Sequence, residues 1–150
     1  MKLVIQKVTE ASVCVEGECI GSINRGFLVF VGIGREDTKG MADQYIKKMV
    51  NLRIFADAEG KTNLSLADVG GEVLLISQFT LYANCKKGNR PSFFHAGEPQ
   101  MAESLYEYMI EKTREQVPVV KTGRFGALMQ VSLVNEGPFT IISVSYTHLR

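Results

Sequence analysis

The chain has few histidines and cysteines, two side chains that often bind metals or form nucleophile–base pairs. Its histidines are His95 and His148, and its three cysteines are Cys14, Cys19 and Cys85. Their spacing matches no common pattern of metal ligands, so we expect neither a metal nor a cofactor. An odd number of cysteines is typical of a reducing compartment, where thiols stay unpaired, and favours a cytoplasmic protein.

Long apolar runs and a signal-peptide pattern are also missing. No apolar run approaches the roughly 20 residues that cross a bilayer. The N-terminus alternates as a strand does, without the basic-then-apolar layout of a secretory leader. Hydrophobic residues make up 45% of the chain, enough for the core of one ordinary domain. We therefore expect one soluble domain over residues 1–150, with no membrane segment.

A strand that ends abruptly in polar side chains is the most informative feature of the sequence. Val73–Ile76 is a run of four apolar residues, typical of a strand buried on both faces. Ser77, Gln78, Phe79 and Thr80 follow at once. Buried polar groups cost free energy unless something satisfies them, and a ligand at this strand end would do so. The alternative is a turn in which Ser77 and Thr80 bond their own backbone.

The net charge of +1 excludes binding to nucleic acid through a generally basic surface. Any contact with RNA must therefore come from a local patch. Lys86, Lys87 and Arg90 form such a patch directly after the polar strand end. A group of this size is more often a solvated surface, and its position beside the strand end is what favours RNA binding.

A Gly–Pro step divides two apolar runs near the C-terminus. Residues 129–134 read as a strand, and Asn135, Glu136, Gly137 and Pro138 follow. Such a step is usually only a turn, although proline is the one residue before which a cis peptide bond is cheap.

In their order along the chain, these segments resemble the D-aminoacyl-tRNA deacylase family. The resemblance runs from Met1 to about Ile142. It also rests on these segments: 1–8, 11–13, 53–55, 57–61, 63–64, 91–93 and 122–131. The resemblance implies a hydrolase that cleaves the ester between an amino acid and the 3′ end of tRNA. It also implies a homodimer with active sites at the subunit interface.

The strand end supplies the groups that ester hydrolysis needs. Backbone N–H groups around Gln78, Phe79 and Thr80 could stabilise the developing oxyanion, and the Ser77 and Gln78 side chains could hold the ester or the ribose. Thr80 has no base beside it in the sequence, so we assign it a hydrogen-bonding role. The resemblance implies that the vicinal 2′-hydroxyl of the RNA assists the reaction instead.

The resemblance also assigns residues to the substrate. Phe125 and Met129 match positions that line the pocket for the terminal adenosine, although both could equally be core residues. Gly137 and Pro138, in the motif that Asn135 opens, would form a cis turn that reaches into the partner's site. Its carbonyls would occupy the place of an L side chain, so D-amino acids and glycine, including glycyl-tRNA mischarged on tRNA-Ala, would be accepted.

Two other functions fit parts of the sequence. One is a non-catalytic module that binds the aminoacylated 3′ end of tRNA. The other is a small-molecule esterase or amidase, against which the missing nucleophile–base pair argues. The tail at about 144–150 does not match the family's ending, so we expect it to be non-native and assign no function to His148.

The expected fold class is α/β, with layered mixed sheets and two helices covering one side, as in the deacylases. Strands are predicted at 3–8, 12–15, 19–23, 26–33, 53–55, 72–81, 117–122, 129–134 and 139–143. Helices are predicted from Asp37 or Thr38 to about Leu52 and over 99–116, with loops at 65–71 and 82–97.

Overall fold

The computed structural model of the protein describes residues 1–144. Most of the tail expected to be non-native, with His148, lies outside the described residues. Within residues 1–144, no helix is both long and apolar enough to cross a membrane.

Residues 1–144 form eight strands, three α-helices and one 3₁₀ turn. The strands are β1 (Lys2–Val15), β2 (Glu18–Ile23), β3 (Gly26–Gly32), β4 (Phe55–Ala56), β5 (Thr62–Leu64), β6 (Glu72–Ser77), β7 (Val120–Thr122) and β8 (Gln130–Val144). The helices are α1 (Lys39–Val50), α2 (Leu66–Val69) and α3 (Pro99–Gln116), and the 3₁₀ turn covers Phe79–Tyr82.

All strands but β4 and β5 belong to one six-stranded sheet. Its order is β2-β1-β3-β6-β7, and β8 pairs with β1 along almost its whole length. β3, β6 and β7 run parallel, whereas β1 is antiparallel to its partners. The carboxyl ends of β3 and β6 therefore lie at the same edge, where Val31 is opposite Ser77.

β3 and β6 are buried on both faces, as the apolar run at 73–76 predicts. Successive side chains point to opposite faces of a strand, so Val73 and Leu75 pack with the helices while Leu74 and Ile76 pack with β1 and β2. α1 and α3 both contribute to the helix-side core. The predicted α/β fold of layered sheets is confirmed, with α2 as an additional short helix.

The helix boundaries follow from capping residues. Thr38 is the N-cap of α1, where its hydroxyl accepts the Met41 N–H at 3.2 Å, as the sequence predicts. α3 begins at Pro99, a residue suited to the first helical position. The loop predicted at 65–71 is wrong, because Ser65 and Asp68 form a capping box that starts α2.

The boundaries of several predicted strands are also wrong. β1 and β8 are each one strand where two were predicted, because register shifts absorb the irregular residues between the halves. β6 ends at Ser77 instead of residue 81, because the chain turns there into the 3₁₀ segment. The short strand predicted at 53–55 is instead Phe55–Ala56.

Cys14 and Cys19 form a disulfide, which corrects the expectation of three unpaired thiols. The two residues are opposite each other in the β1–β2 pair. Glu16 and Gly17 both have positive φ, so the connection is tight enough to place the cysteines side by side. Cys85 is free and exposed. The cysteine count therefore no longer supports a reducing compartment.

Candidate active site

The polar residues after β6 form a tight turn packed on the end of β3. The Gln78 N–H donates to the Val31 carbonyl at 2.8 Å, and the Leu81 N–H donates to the Gln78 carbonyl at 3.3 Å. Gly32 makes this approach possible, since a Cβ there would lie 2.9 Å from the Leu81 Cβ. The turn is therefore held by β3 and has a fixed backbone.

The backbone donors of this turn are fewer than the sequence predicts. Because the Gln78 N–H is engaged by Val31, it is not available to an oxyanion. The N–H groups of Phe79 and Thr80 open the 3₁₀ turn, where helical geometry leaves the first donors without an intrahelical acceptor. These two groups are the candidates for an oxyanion hole.

The side chains of Gln78 and Thr80 are hydrogen-bonded to each other. The Gln78 amide donates to the Thr80 hydroxyl oxygen at 2.5 Å. Thr80 is exposed, while Ser77 and Gln78 are half-buried. Because the Thr80 oxygen is an acceptor in this bond, its own proton remains available for a ligand.

Tyr106 supports the strand end from beneath, a role that sequence reasoning missed. Its hydroxyl donates to the Leu75 carbonyl at 2.7 Å, and the Gly123 N–H donates to the same oxygen at 3.3 Å. Burial raises the pKa of Tyr106, so the phenol stays protonated and remains a donor. A tyrosine in an amphipathic helix carries no signal of this contact in the sequence.

Phe125 and Met129 lie beside the same strand end. The Phe125 ring is 6.2 Å from the Tyr106 ring. Met129 packs over Gly123, where a Cβ would lie 2.5 Å from the Met129 sulfur and 3.1 Å from Ile76. Both side chains are half-buried and border the core. The structure thus brings them together with the polar strand end.

The Gly–Pro step lies in a bulge of β8. Val8 is opposite Asn135 and Gln6 is opposite Thr140, so the intervening β8 residues loop out, and the Gly137–Pro138 peptide bond is cis. The Asn135 amide donates to the carbonyls of Lys7 at 3.3 Å and Phe139 at 3.1 Å. These bonds join the two ends of the bulge, so the Asn135 side chain stabilises its shape.

Lys7 anchors this bulge from the core side, and sequence reasoning missed it. Its ammonium lies 3.6 Å from the Glu136 carboxylate, donates to the Ile54 carbonyl at 3.4 Å and lies 4.9 Å from the centre of the Phe139 ring. Lys7 is buried. The signal was present in the alternation of β1, where Leu3, Ile5 and Lys7 share the inward face.

The bulge and the strand end are far apart within one protomer. The bulge lies beside Lys7 of β1. Lys7 is opposite Phe27 of β3, and Phe27 is opposite Val73 of β6. Ser77, at the strand end, lies four residues further along β6 than Val73. With about 3.3 Å per residue and about 4.8 Å between each of four neighbouring strands, the separation is roughly 20 Å. One protomer therefore does not bring these two predicted parts of the site together.

Lys86, Lys87 and Arg90 lie together at the tip of an exposed loop. Asn84 and Ser92 close this loop through two backbone hydrogen bonds of 2.7 and 2.9 Å. All three cations are exposed, and none forms an ion pair with another residue of the range 1–144. Within that range no cluster of His, Cys, Asp or Glu could hold a metal ion.

Comparisons with known proteins identify the family and the fold. The family model described as D-Tyr-tRNA(Tyr) deacylase matches residues 4–144. A solved structure named c-Myc DNA Unwinding Element Binding Protein is 43% identical, with a TM-score of 0.91, over 97% of this chain and 99% of that one. Another, described as a probable eukaryotic D-amino acid tRNA deacylase, is 17% identical, with a TM-score of 0.82, over 95% and 97%.

The first comparison decides the family, and the last supports the fold. The matched residues include the strand end, the adenosine-pocket candidates and the Gly–Pro bulge. The resemblance noted from the sequence is thereby confirmed. The chain belongs to the D-Tyr-tRNA(Tyr) deacylase family and is a hydrolase of the ester bond in aminoacyl-tRNA.

Proposed function

We propose that the protein removes D-amino acids and glycine from tRNA at a site built by two copies of the chain. The observation that carries this proposal is the grouping at the carboxyl end of β6. The two candidate backbone donors, the Gln78–Thr80 pair and the half-buried Phe125 and Met129 all border one edge of the sheet.

Each part of this group has a role in ester cleavage. The N–H groups of Phe79 and Thr80 stabilise the negative charge that develops on the carbonyl oxygen. Phe125 and Met129 hold the adenine ring by stacking and apolar contact. The Thr80 hydroxyl donates its free proton to the bound ester or ribose.

The attacking group is assisted by the RNA. The hydrogen-bond partner of the Thr80 hydroxyl is the Gln78 amide, which cannot accept a proton as a base does. A vicinal 2′-hydroxyl next to the ester is already positioned by binding of the terminal adenosine. The protein then contributes orientation and electrostatic stabilisation.

A second copy supplies the Gly137–Pro138 turn. The separation of roughly 20 Å between the turn and the strand end of one chain supports a role for the turn at another copy's strand end. β8 has β1 as its one partner in the described part of the sheet, and its Val134 and Ile142 are 49% and 69% exposed. An open strand edge with apolar side chains suits pairing with a second copy.

Chiral selection is steric in this arrangement. Backbone carbonyls of the turn occupy the space that an L side chain would need, so the L ester is rejected. Glycine has no side chain to reject, so glycyl-tRNA mischarged on tRNA-Ala is also a substrate.

Matched substrates test the proposal. Single-turnover release of amino acid is measured with D-tyrosyl-, L-tyrosyl- and glycyl-tRNA. D-Tyrosine and glycine should be released and L-tyrosine retained. Equal rates for the two tyrosyl enantiomers would eliminate steric selection. A cytoplasmic location belongs to the same proposal and is tested by cell fractionation.

A second candidate function, in addition to hydrolysis, is binding of nucleic acid through the exposed loop. The 43% identical protein carries a name that refers to binding of a DNA element, and the exposed loop cations here could contact phosphates. Retention of nucleic-acid binding by a variant that no longer hydrolyses D-tyrosyl-tRNA would favour this function. Competition by duplex DNA at equal phosphate concentration would show whether the partner is DNA.

A further inference from the structure

We infer that the loop from Ala83 to Gly97, with Arg35, binds the single-stranded nucleotides that precede the terminal adenosine of tRNA. The residues of this aromatic–basic surface are Arg35, Lys86, Lys87, Arg90, Phe93 and Phe94. The inference rests on the proposed function, because it extends the same RNA away from the β6 strand end.

Phe94 is an exposed ring held in a fixed position. It is 66% exposed, and the Arg35 guanidinium lies 4.5 Å from its ring centre. The Arg35 side chain is itself anchored, since Nε donates to the Phe94 carbonyl at 2.5 Å and the guanidinium lies 3.5 Å from Glu98. An exposed ring beside an oriented guanidinium is the combination on which single-stranded bases stack.

This ring is connected rigidly to the candidate active site. The ring of Phe93 packs against the ring of Phe79 at 5.1 Å, and Phe79 directly follows Gln78. The Gly97 N–H donates to the Ile33 carbonyl at 2.8 Å, one residue beyond β3. The loop is thus pinned on both sides of Phe94 to the edge where the ester would lie.

The charges of the surface favour RNA over other occupants. Lys86, Lys87 and Arg90 are on the same loop, beyond the Asn84–Ser92 bridge, and have no acidic partner in the range 1–144. Cations without an acidic partner, on the same loop as an exposed aromatic ring, suit a nucleic-acid strand, in which phosphates and bases alternate. An apolar protein partner would leave these charges buried and unpaired.

Substrates of two lengths test the surface through activity. Phe94→Ala should raise the KM for D-tyrosyl-tRNA about tenfold, since loss of one stacked base has roughly that effect. The same variant should cleave D-tyrosyl-adenosine, which lacks the preceding nucleotides, within about twofold of the unmodified protein. Phe94→Tyr keeps the ring and should restore the KM. Equal losses on both substrates, or no loss on tRNA, would overturn the inference.

Binding of uncharged tRNA provides a readout that does not need hydrolysis. Replacing Lys86, Lys87 and Arg90 by Gln should lower the salt slope of log K by about two, at roughly 0.7 per phosphate contact. The matched control is Lys61→Gln, another exposed lysine, which should leave the slope unchanged. An unchanged slope in the triple variant, or a changed oligomeric state for Phe94→Ala, would overturn the inference. Absence of hydrolysis by the unmodified protein, with this binding pattern intact, would refute the proposed function alone.

Discussion

At the scale of single residues, substitutions of Thr80 test whether its hydroxyl acts as a hydrogen-bond donor or as a nucleophile. Its oxygen accepts the Gln78 amide, so the hydroxyl has a proton to donate and no base to remove it. Thr80→Ser should retain kcat within about threefold, whereas Thr80→Ala should lose about tenfold, the effect of one hydrogen bond. Single-turnover hydrolysis of D-tyrosyl-tRNA measures both. Full activity in Thr80→Ala would show that the hydroxyl is dispensable. Inactivity of Thr80→Ser would contradict a role limited to hydrogen bonding.

Lys7 tests whether the shape of the Gly–Pro bulge sets chiral selection. Lys7→Met keeps the apolar stem but removes the ammonium that contacts Glu136 and Ile54. Since a buried charge and its apolar replacement can be similar in stability, we expect little change in the midpoint of denaturation. The ratio of D- to L-tyrosyl-tRNA hydrolysis should fall about tenfold as the bulge loosens, because a weakened clash of about 1.4 kcal/mol admits the L ester.

The control for this prediction is another lysine. Lys61→Met removes an exposed charge of the β4–β5 hairpin, which pairs with Glu59 at 3.6 Å. Its D-to-L ratio should match that of the unmodified protein. An unchanged ratio in Lys7→Met would mean that Asn135 and the backbone suffice to hold the bulge.

At the scale of secondary structure, the apolar runs were predictable and the irregular joins were not. The run at 73–76 predicts a strand buried on both faces because four consecutive apolar residues place apolar side chains on each face of the strand. Its end at Ser77 depends on Gly32 in a neighbouring strand, which admits the turn. Likewise, β8 continues past Pro138 only because β1 offers a long partner on which a bulge can form.

The candidate site, too, has some features that could be found from the sequence and others that depend on tertiary contacts. The polar strand end was found from the sequence because polar types are unusual directly after a buried strand, whereas Phe125 and Met129 were assigned by the family resemblance alone. The loss of the Gln78 N–H to Val31 and the support from Tyr106 depend on tertiary contacts. The pairing of Cys14 with Cys19 depends on strand register, which spacing alone does not specify.

The disulfide between β1 and β2 gives a prediction for this hairpin. Protein purified without reductant and then unfolded should show one reactive thiol, that of Cys85, and three after reduction. Reduction should lower the free energy of unfolding by about 2 kcal/mol, since the bond closes a short loop. Thiol titration and chemical denaturation measure the two effects. Cys85→Ser should show no free thiol before reduction, and three thiols without reductant in the unmodified chain would refute the bond.

The contact between α3 and β6 predicts a specific alkaline behaviour. Burial raises the pKa of Tyr106, so above its ordinary pKa of about 10 the unfolded chain binds fewer protons than the folded one. The free energy of unfolding therefore falls as pH rises through 10, and this contribution is fully present below that pH.

Tyr106→Phe isolates that effect. At pH 7 the variant should be less stable by about 1 kcal/mol, because the Leu75 carbonyl loses the Tyr106 hydroxyl and keeps only the Gly123 N–H as a donor. Between pH 9 and pH 11 the difference from the unmodified protein should narrow, since the variant has no phenol to ionise. Urea denaturation across this range measures the difference. A constant difference would show that Tyr106 does not titrate with unfolding.

At the scale of the whole molecule, the sheet separates the parts of the proposed site. β6 carries the polar turn at its carboxyl end, whereas the bulge of β8 is level with the start of β6 and three strands away. A twofold axis can bring opposite ends of two sheets together twice, which produces two equal sites per dimer. The proposal therefore requires that each site use the strand end of one subunit and the turn of the other.

Mixed dimers test this division directly. One variant, Gln78→Ala/Thr80→Ala, has a damaged strand end and an intact turn, and should lose at least the tenfold expected for Thr80→Ala while still rejecting the L ester. The other, Pro138→Ala, has an intact strand end and a damaged turn, and should hydrolyse L- as well as D-tyrosyl-tRNA. Each alone, with its oligomeric state measured by sedimentation, provides the reference rates.

In a mixed dimer with shared sites, the intact strand end of the Pro138→Ala subunit meets the intact turn of the other subunit. Co-refolding with a tenfold excess of Gln78→Ala/Thr80→Ala should therefore reduce L-tyrosyl-tRNA hydrolysis about tenfold while each Pro138→Ala subunit still hydrolyses the D ester. If each subunit used its own turn, the damaged turn would stay with the active strand end and L hydrolysis would not change on mixing. If hydrolysis of L-tyrosyl-tRNA stayed the same at every mixing ratio, the two-subunit site would be refuted, because the intact turns of the other variant would then have no effect on chiral selection.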